Sequence, residues 1–227
     1  SFQGGSVTFP YKEKVASILS DSIPEKAARK LGAVNSIYKN DIGVLCGANT
    51  DGIAALNCIE NVFFSEKNQP KKIIILGNGG VGKAVLAFVH DSLLPKNNQI
   101  ELYVSSRNRD SNFLSKFNQA NFISWNERHS SLNKETLIIN CTSLGDYENL
   151  NFSPIDFSYF NESNLPYGVY DVIYNPSESK LIGWAKTNNV LYANGLEMNL
   201  LQAAYAFKST VNIGDNINSI KKIMSLS

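Results

Sequence analysis

The stretch Lys71-Lys72-Ile73-Ile74-Ile75-Leu76-Gly77-Asn78-Gly79-Gly80-Val81-Gly82-Lys83, continuing into Ala84-Val85-Leu86-Ala87-Phe88-Val89, decides how this chain is read. An apolar run of strand length meets a glycine-rich turn and then a helix-compatible segment. That order suits the pyrophosphate of a dinucleotide. Gly77 permits a tight turn, Gly79 lets backbone approach phosphate, and Gly82 lets the helix pack close on the strand. With Asn78, Gly80 and Val81 they form a cradle whose first-turn N–H groups and helix dipole face an anion. It is not a Walker A loop, because Ala84 follows Lys83 where that pattern needs Ser or Thr. A strand–helix turn with spare glycines is the plainer alternative.

The next strand is expected at Ile100–Val104, about 20 residues beyond the glycines, where the ribose contact of such a site falls. Ser105-Ser106-Arg107-Asn108-Arg109 follows it. An NAD-selective site usually places Asp or Glu there. Ser106 and Arg107 instead suit the 2′-phosphate of NADP, which a carboxylate would repel and a guanidinium fork would hold. The plainer reading is that Arg107 and Arg109 are solvated loop residues.

Further apolar runs at Asn121–Ser124, Leu137–Asn140, Val169–Ile173 and Val190–Tyr192 alternate with helix-length gaps. Alternation of that kind predicts an α/β fold, a Rossmann-like parallel sheet covered by helices, with its ligand at the carboxyl ends of the strands. A helix is expected from Thr50 to about Phe64, crossing between domains. Others are expected over Glu197–Phe207 and Asn216–Ser225, the last with Ile217, Ile220, Ile223 and Met224 on one face. The flanks would then meet as one lobe. The division is 1–50 with 196–227 as a substrate lobe, and 51–195 as the dinucleotide-binding domain with its crossing helix.

The 227 residues are 43% hydrophobic, enough for a sizeable core, with a formal net charge of +1 and scattered basic residues. Nothing in that balance suggests nucleic acid. No apolar run is long enough to cross a bilayer, and Ser1-Phe2-Gln3-Gly4-Gly5 does not look like a signal peptide. Cys46, Cys58 and Cys141 show neither paired nor zinc spacing, and are read as small buried hydrophobes in a reducing compartment. His90 and His129 stand in unrelated contexts, so no metal is expected.

Several other motifs fall into line with the glycine turn. They are Ser6-Val7-Thr8-Phe9-Pro10-Tyr11-Lys12, Gly32-Ala33-Val34-Asn35, Asn49-Thr50-Asp51-Gly52, Asn140-Cys141-Thr142-Ser143-Leu144-Gly145, and Gly195-Leu196-Glu197-Met198 with Gln202. Tyr174 lies in Tyr170-Asp171-Val172-Ile173-Tyr174-Asn175-Pro176. In this order, over residues 4 to about 207, the chain resembles the shikimate dehydrogenase family. The resemblance implies reversible NADP-linked reduction of 3-dehydroshikimate to shikimate, in aromatic amino acid biosynthesis. It implies Lys12 and Asp51 as the catalytic pair. Thr8, Asn35, Asp51, Tyr174 and Gln202 would meet the substrate, and Thr142, Gly195 and Met198 the nicotinamide side. It further implies a cytoplasmic protein, monomer or homodimer, with a small-molecule substrate and no nucleic-acid or membrane partner.

Elementary chemistry is compatible with those roles. Carbonyl reduction by a nicotinamide needs a proton at oxygen as hydride reaches carbon. A lysine ammonium can donate it or stabilise the developing alkoxide. In the reverse direction Lys12 must accept a proton, which the neighbouring Asp51 carboxylate opposes by favouring the charged amine. Each residue also has a plainer reading. Lys12 could be a loop lysine and Asp51 a helix N-cap. Asn35 could be a turn amide, Gln202 a solvated helix position, and Met198 a core side chain.

The chain departs from the family pattern in places. It begins beyond the Ser-rich motif that would hold the substrate carboxylate, so at least one strand–helix–strand unit, roughly 30 residues or more, is expected to be absent. Ser6 stands where Asn is common, Asp146 where Met is common, and Ser106-Arg107-Asn108 replaces Asn-Arg-Thr. A quinate/shikimate dehydrogenase and a non-catalytic NADP-binding relative are the alternative readings.

Overall fold

Ile73, Ile74, Ile75 and Leu76 are all fully buried, and that burial organises the molecule. Successive side chains of a strand point to opposite faces, so an unbroken apolar run must be covered on both. In the computed structural model, which describes residues 2–8, 10–65, 68–211 and 216–225, both faces are covered. Ser1, and Phe9 of the Ser6–Lys12 motif, lie outside the described residues. Ile73 and Ile75 face a large core shared with Leu102, Val104, Leu137 and Ile139. Ile74 and Leu76 face a smaller one with Ile138 and Ile155. Each such side chain contributes about 1.5–3 kcal/mol on burial.

The run is β4 (Lys72–Leu76), at the centre of a sheet whose spatial order is β6-β5-β4-β7-β8-β9. The others are β5 (Glu101–Ser106), β6 (Ala120–Ser124), β7 (Thr136–Asn140), β8 (Gly168–Asp171) and β9 (Leu191–Ala193), and every pairing is parallel. From β4 the chain passes through α4 (Gly80–Phe88) to β5, then through the short α5 (Ser111–Leu114) to β6. It then returns to β7 on the other side of β4. This reversal opens a crevice at the carboxyl ends of β4 and β7, where ligands of doubly wound sheets bind. α6 (Lys180–Thr187) joins β8 to β9.

Boundaries move slightly from those expected. β5 runs on to Ser106 because Ser105 and Ser106 are buried and continue the ladder to β4 and β6. β8 stops at Asp171, not Ile173, because its carboxylate accepts the Ile173 N–H (3.1 Å) and turns the chain out of the ladder. β9 is displaced by one residue, to Leu191–Ala193.

The remaining strands form a separate antiparallel sheet in the order β1 (Gly4–Ser6), β2 (Ser36–Lys39), β3 (Leu45–Ala48). Two short helices, α1 (Lys12–Ile18) and α2 (Lys26–Leu31), lie between β1 and β2. Two long helices tie the sheets together: α3 (Thr50–Phe63), leading from β3 toward β4, and α7 (Gly195–Val211), leading from β9 back over β1 and β2. They pack on each other, with Ala54, Ala55 and Ile59 of α3 and Leu201 of α7 buried in one core. α8 (Ile217–Met224) rests on α7 through Ile220, but its expected apolar face is only partly used, since Ile223 is 70% exposed.

Candidate active site

Lys12 opens α1 immediately after Pro10 and Tyr11, and its backbone carbonyl is held by the Val34 N–H (3.1 Å). Its ammonium donates to Asp51 Oδ2 at 3.0 Å. The side chains are 38% and 20% exposed, so a ligand in the cleft can reach both. Asp51 sits in the first turn of α3, where a carboxylate is favoured by the helix dipole. It is not the N-cap. That position belongs to Asn49, whose Oδ1 accepts the Gly52 N–H at 2.9 Å while its amide donates to Ala33 O at 3.0 Å. Asp51 is thereby left free to hold Lys12.

Asn35 is buried and locks the third motif to the second. Its Oδ1 accepts the Thr50 N–H at 2.7 Å, and its amide nitrogen donates to Thr50 Oγ1 at 3.0 Å. The Asn35 backbone accepts from Val7 N (2.8 Å) and donates to Ala48 O (3.0 Å), which fixes β1 and β3 around it. Much of its polar capacity is therefore used within the protein, although it still lines the cleft.

A cavity of about 300 Å³ lies between the sheets. Its walls carry Thr8, Lys12, Asn35 and Asp51 from the small sheet side, Tyr174 and Gly195 from the ends of β8 and β9, Met198 and Gln202 from α7, and Val81 from the glycine turn. Residues scattered from position 8 to position 202 thus meet in one volume large enough for a small polyhydroxy ligand. Tyr174 is 52% exposed, whereas Met198 is nearly buried and is also a core side chain. Lys12 and Asp51 also border a second space of about 600 Å³, which runs along Gly80, Lys83 and Asp110. Asn199 and Ala206 line the first cavity too. Sequence reasoning missed them, although with Gln202 they follow helical spacing on α7, and that spacing was the available signal.

The glycine turn has the form a phosphate cradle requires. Gly77 has φ +102°, and a Cβ on Gly82 would lie 2.1 Å from Gly77 O. Gly79 caps α4 without a side chain, and the space above Gly79 and Gly80 is open. The first-turn N–H groups of α4 therefore face outward for an anion. Lys83 turns away from this position into an ion pair with Asp110 (2.7 Å). Asn78 donates to Asn108 O (2.8 Å) and Ser106 Oγ to the same carbonyl (2.7 Å), which ties the turn to the loop after β5. Arg107, on that loop, is exposed, and Arg109 lies over the Phe122 ring (5.6 Å). Thr142 packs beside Gly77, with its methyl about where a Gly77 Cβ would meet it at 3.1 Å.

The histidines are occupied elsewhere. His129 Nε2 accepts the Asp156 N–H (2.9 Å) and the ring stacks on Tyr159. Burial, then the Arg128 charge, holds its pKa below the usual value. His90 lies against Asp91 (2.6 Å). Cys46 and Cys58 are buried and unpaired, and burial pushes the Cys58 thiol up to about 11.

No protein-family model matches the chain. A shikimate dehydrogenase (NADP(+)) of Geobacillus sp. (strain WCH70) is 30% identical over 97% of this chain and 77% of its own length. The chain belongs to the shikimate dehydrogenase family. Among solved structures, a chorismate mutase/shikimate 5-dehydrogenase fusion protein from Clostridium acetobutylicum is similar, with a TM-score of 0.76 and 30% identity over 98% of this chain and 77% of that one. Quinate dehydrogenase from Corynebacterium glutamicum, in complex with NAD, has a TM-score of 0.81 at 22% identity, covering all of this chain and 79% of that one. At that identity it shares the fold alone. For this shikimate dehydrogenase family member, the order of motifs, the parallel sheet and the similarity to relatives agree.

Proposed function

We propose that this chain catalyses the reversible, NADP-linked reduction of 3-dehydroshikimate to shikimate. The observation that carries the reading is the Lys12–Asp51 pair, 3.0 Å apart, in the wall of a cavity that also reaches Val81 of the glycine turn. Gly77, Asn78, Gly79, Gly80, Val81 and Gly82 would hold the cofactor pyrophosphate, with Ser106 and Arg107 at the 2′-phosphate. Thr142, Gly195 and Met198 would border the nicotinamide. The open space at Gly79 and Gly80 fits that role, and Gly82 lets the helix close on the turn, since a side chain there would collide with Gly77 O. The bound cofactor supplies hydride in one direction and receives it in the other.

Lys12 presents its ammonium to the carbonyl oxygen of the substrate and delivers the proton that oxygen needs, and in reverse it takes the proton back. General acid–base help of this kind contributes roughly 10²–10⁴-fold. Asp51 orients Lys12 and accepts from a substrate hydroxyl. Thr8, Gln202 and Tyr174 pair with the remaining hydroxyls, and Asn35 does so with whatever its bonds to Thr50 leave free. The same reading assigns 51–195 to cofactor binding and 1–50 with 196–227 to substrate, a division supported by α3 and α7, which begin at Thr50 and Gly195, one residue before each point. It also carries a cytoplasmic monomer or homodimer, which fits three free thiols and can be checked by sedimentation.

The test follows reduced-nicotinamide absorbance with shikimate and NADP, then with quinate and with NAD. Turnover of shikimate with NADP, abolished in Lys12→Ala while NADPH still binds, supports the assignment. Tight NADPH binding without turnover of either acid by the unaltered chain would reduce it to a cofactor-binding protein.

A further inference from the structure

Asp171 is fully buried at the end of β8, and it lines neither of the two cavities described above. Its Oδ1 accepts from Asn140 Nδ2 (3.0 Å) and from the Ile173 N–H (3.1 Å), and its Oδ2 accepts from Ser179 Oγ (2.6 Å). Asn140, also fully buried, ends the neighbouring strand β7. Its Oδ1 accepts from Thr142 N (3.0 Å) and Thr142 Oγ1 (2.7 Å). On the other side, Ile173 O accepts the Gly195 N–H (3.0 Å), and a Cβ on Gly195 would lie 2.0 Å from Val172 O. One carboxylate thus connects the ends of β7 and β8 to the start of α7.

An asparagine amide has nearly the same shape either way round, so shape does not fix which end faces Thr142. An ionised carboxylate only accepts hydrogen bonds. Facing Asn140, it holds the NH₂ toward itself, in the same sense as Leu144 O, which accepts from Asn140 Nδ2 at 3.3 Å, and as the Thr142 N–H, which needs the oxygen on its side. The Thr142 hydroxyl is then committed as a donor to Asn140. It accepts from Leu144 N (3.2 Å), and its methyl lies against the turn at Gly77. Burial pushes the Asp171 carboxyl up to about 6, against the lowering by Ser179, Ile173 N–H and Asn140. A buried carboxylate without a cation among its hydrogen-bond partners costs stability that a neutral side chain would not.

We propose that Asp171 is a positioning residue which, through Asn140 and the Ile173 N–H, holds Thr142 and the Val172–Gly195 contact in the one arrangement that forms the nicotinamide-side wall of the site. It acts without touching substrate or cofactor. The inference rests on the proposed dehydrogenase reading, and the two fail differently.

The experiment compares Asp171→Ala with Asp171→Asn. It reads amide hydrogen exchange at Thr142 and Ile173 in the protein without cofactor, the Kd of NADPH by fluorescence, and kcat. Asparagine can offer its oxygen to Asn140 and Ile173 N–H and its NH₂ to Ser179 Oγ. It should keep exchange and Kd within about threefold of the unaltered chain, whereas alanine should speed exchange at both amides and weaken NADPH roughly tenfold or more. If Asp171→Ala does not fold, Asn140→Asp replaces it. That change sets two carboxylates against each other and should produce the same losses. Unchanged exchange and Kd in Asp171→Ala or in Asn140→Asp, or an Asn variant as impaired as Ala, would overturn the role of Asp171. Inactivity of the unaltered chain toward shikimate would instead sink the dehydrogenase reading, leaving the exchange result to stand or fall separately.

Discussion

The parallel sheet and the small antiparallel sheet hold their halves of the site by opposite means. On the parallel sheet, β4 is covered on both faces, and the cofactor-side elements lie close together along the chain, with Gly77 to Gly82 in one turn and Arg107 at the end of the next strand. In the small sheet the strands are three or four residues long, and Ile42 in the loop between β2 and β3 is 83% exposed. There the site is assembled from separate motifs, joined by Asn35 to Thr50, Asn49 to Ala33 and Lys12 to Asp51. A binding cradle can be built locally on a rigid, doubly covered sheet. A catalytic pair whose members are 39 residues apart needs a hydrogen-bonded framework to meet.

Lys12→Ala separates the two halves most strongly. It should lower kcat by roughly 10²–10⁴-fold while leaving NADPH affinity within about twofold, because the pair belongs to one half of the site and the cradle to the other. Steady-state kinetics beside fluorescence titration checks this, and a parallel loss of NADPH binding would mean the halves are not separable. Stability should divide the same way. Ile74→Ala in the covered strand should cost about 2–5 kcal/mol in urea unfolding, against less than about 0.5 kcal/mol for Ile42→Ala on the small sheet.

Asp171 gives the third contrast, in pH. Its folded carboxyl titrates at about 6 against an ordinary value near 3.8, so between those values the folded state binds the proton that the unfolded state has released. Stability from this group is therefore present below about pH 4 and is lost as pH rises through 6, by roughly 3 kcal/mol. Its hydrogen-bond partners are Asn140, Ser179 and the Ile173 N–H, and the Cys141 thiol and Tyr170 phenol are its titratable neighbours. Unfolding free energies from pH 4 to 7 should show Asp171→Asn gaining on the unaltered chain over that window. A constant difference would refute the assignment. The smallest expected effect is that of Arg107→Ala. Because Arg107 is exposed, KM for NADP should rise only about fivefold at low salt, with KM for NAD unchanged.

Much of the cofactor half is legible in the order of residues alone. The run Ile73–Leu76 could only be a strand covered on both faces, and Gly77 and Gly82 stand where φ +102° and a 2.1 Å clearance exclude other side chains. The catalytic candidates Lys12 and Asp51 are legible through motif order and the family resemblance, since their separation along the chain carries no local signal. Asn199 and Ala206 were missed although helical spacing pointed at them. The N-cap alternative for Asp51 is displaced because Asn49 stands one residue before α3 and its oxygen reaches Gly52 N–H. Thr142, Asn140, Asp171 and Ile173 stand in two of the stretches quoted from the sequence, but the hydrogen bonds that join them left no local signal, because β7 and β8 meet only in the fold.

The parallel sheet, the glycine cradle and the guanidinium after β5 are written in the order of residues. Periodicity, glycine stereochemistry and charge act over a few residues and leave their mark in order along the chain. The meeting of Lys12 with Asp51 at 3.0 Å, the occupation of Asn35 by Thr50 and the hydrogen bond from Asn140 to Asp171 arise only in the tertiary structure. Those outcomes depend on distances between elements far apart in the chain, set when α3 and α7 pack together and the ends of β7 and β8 lie side by side.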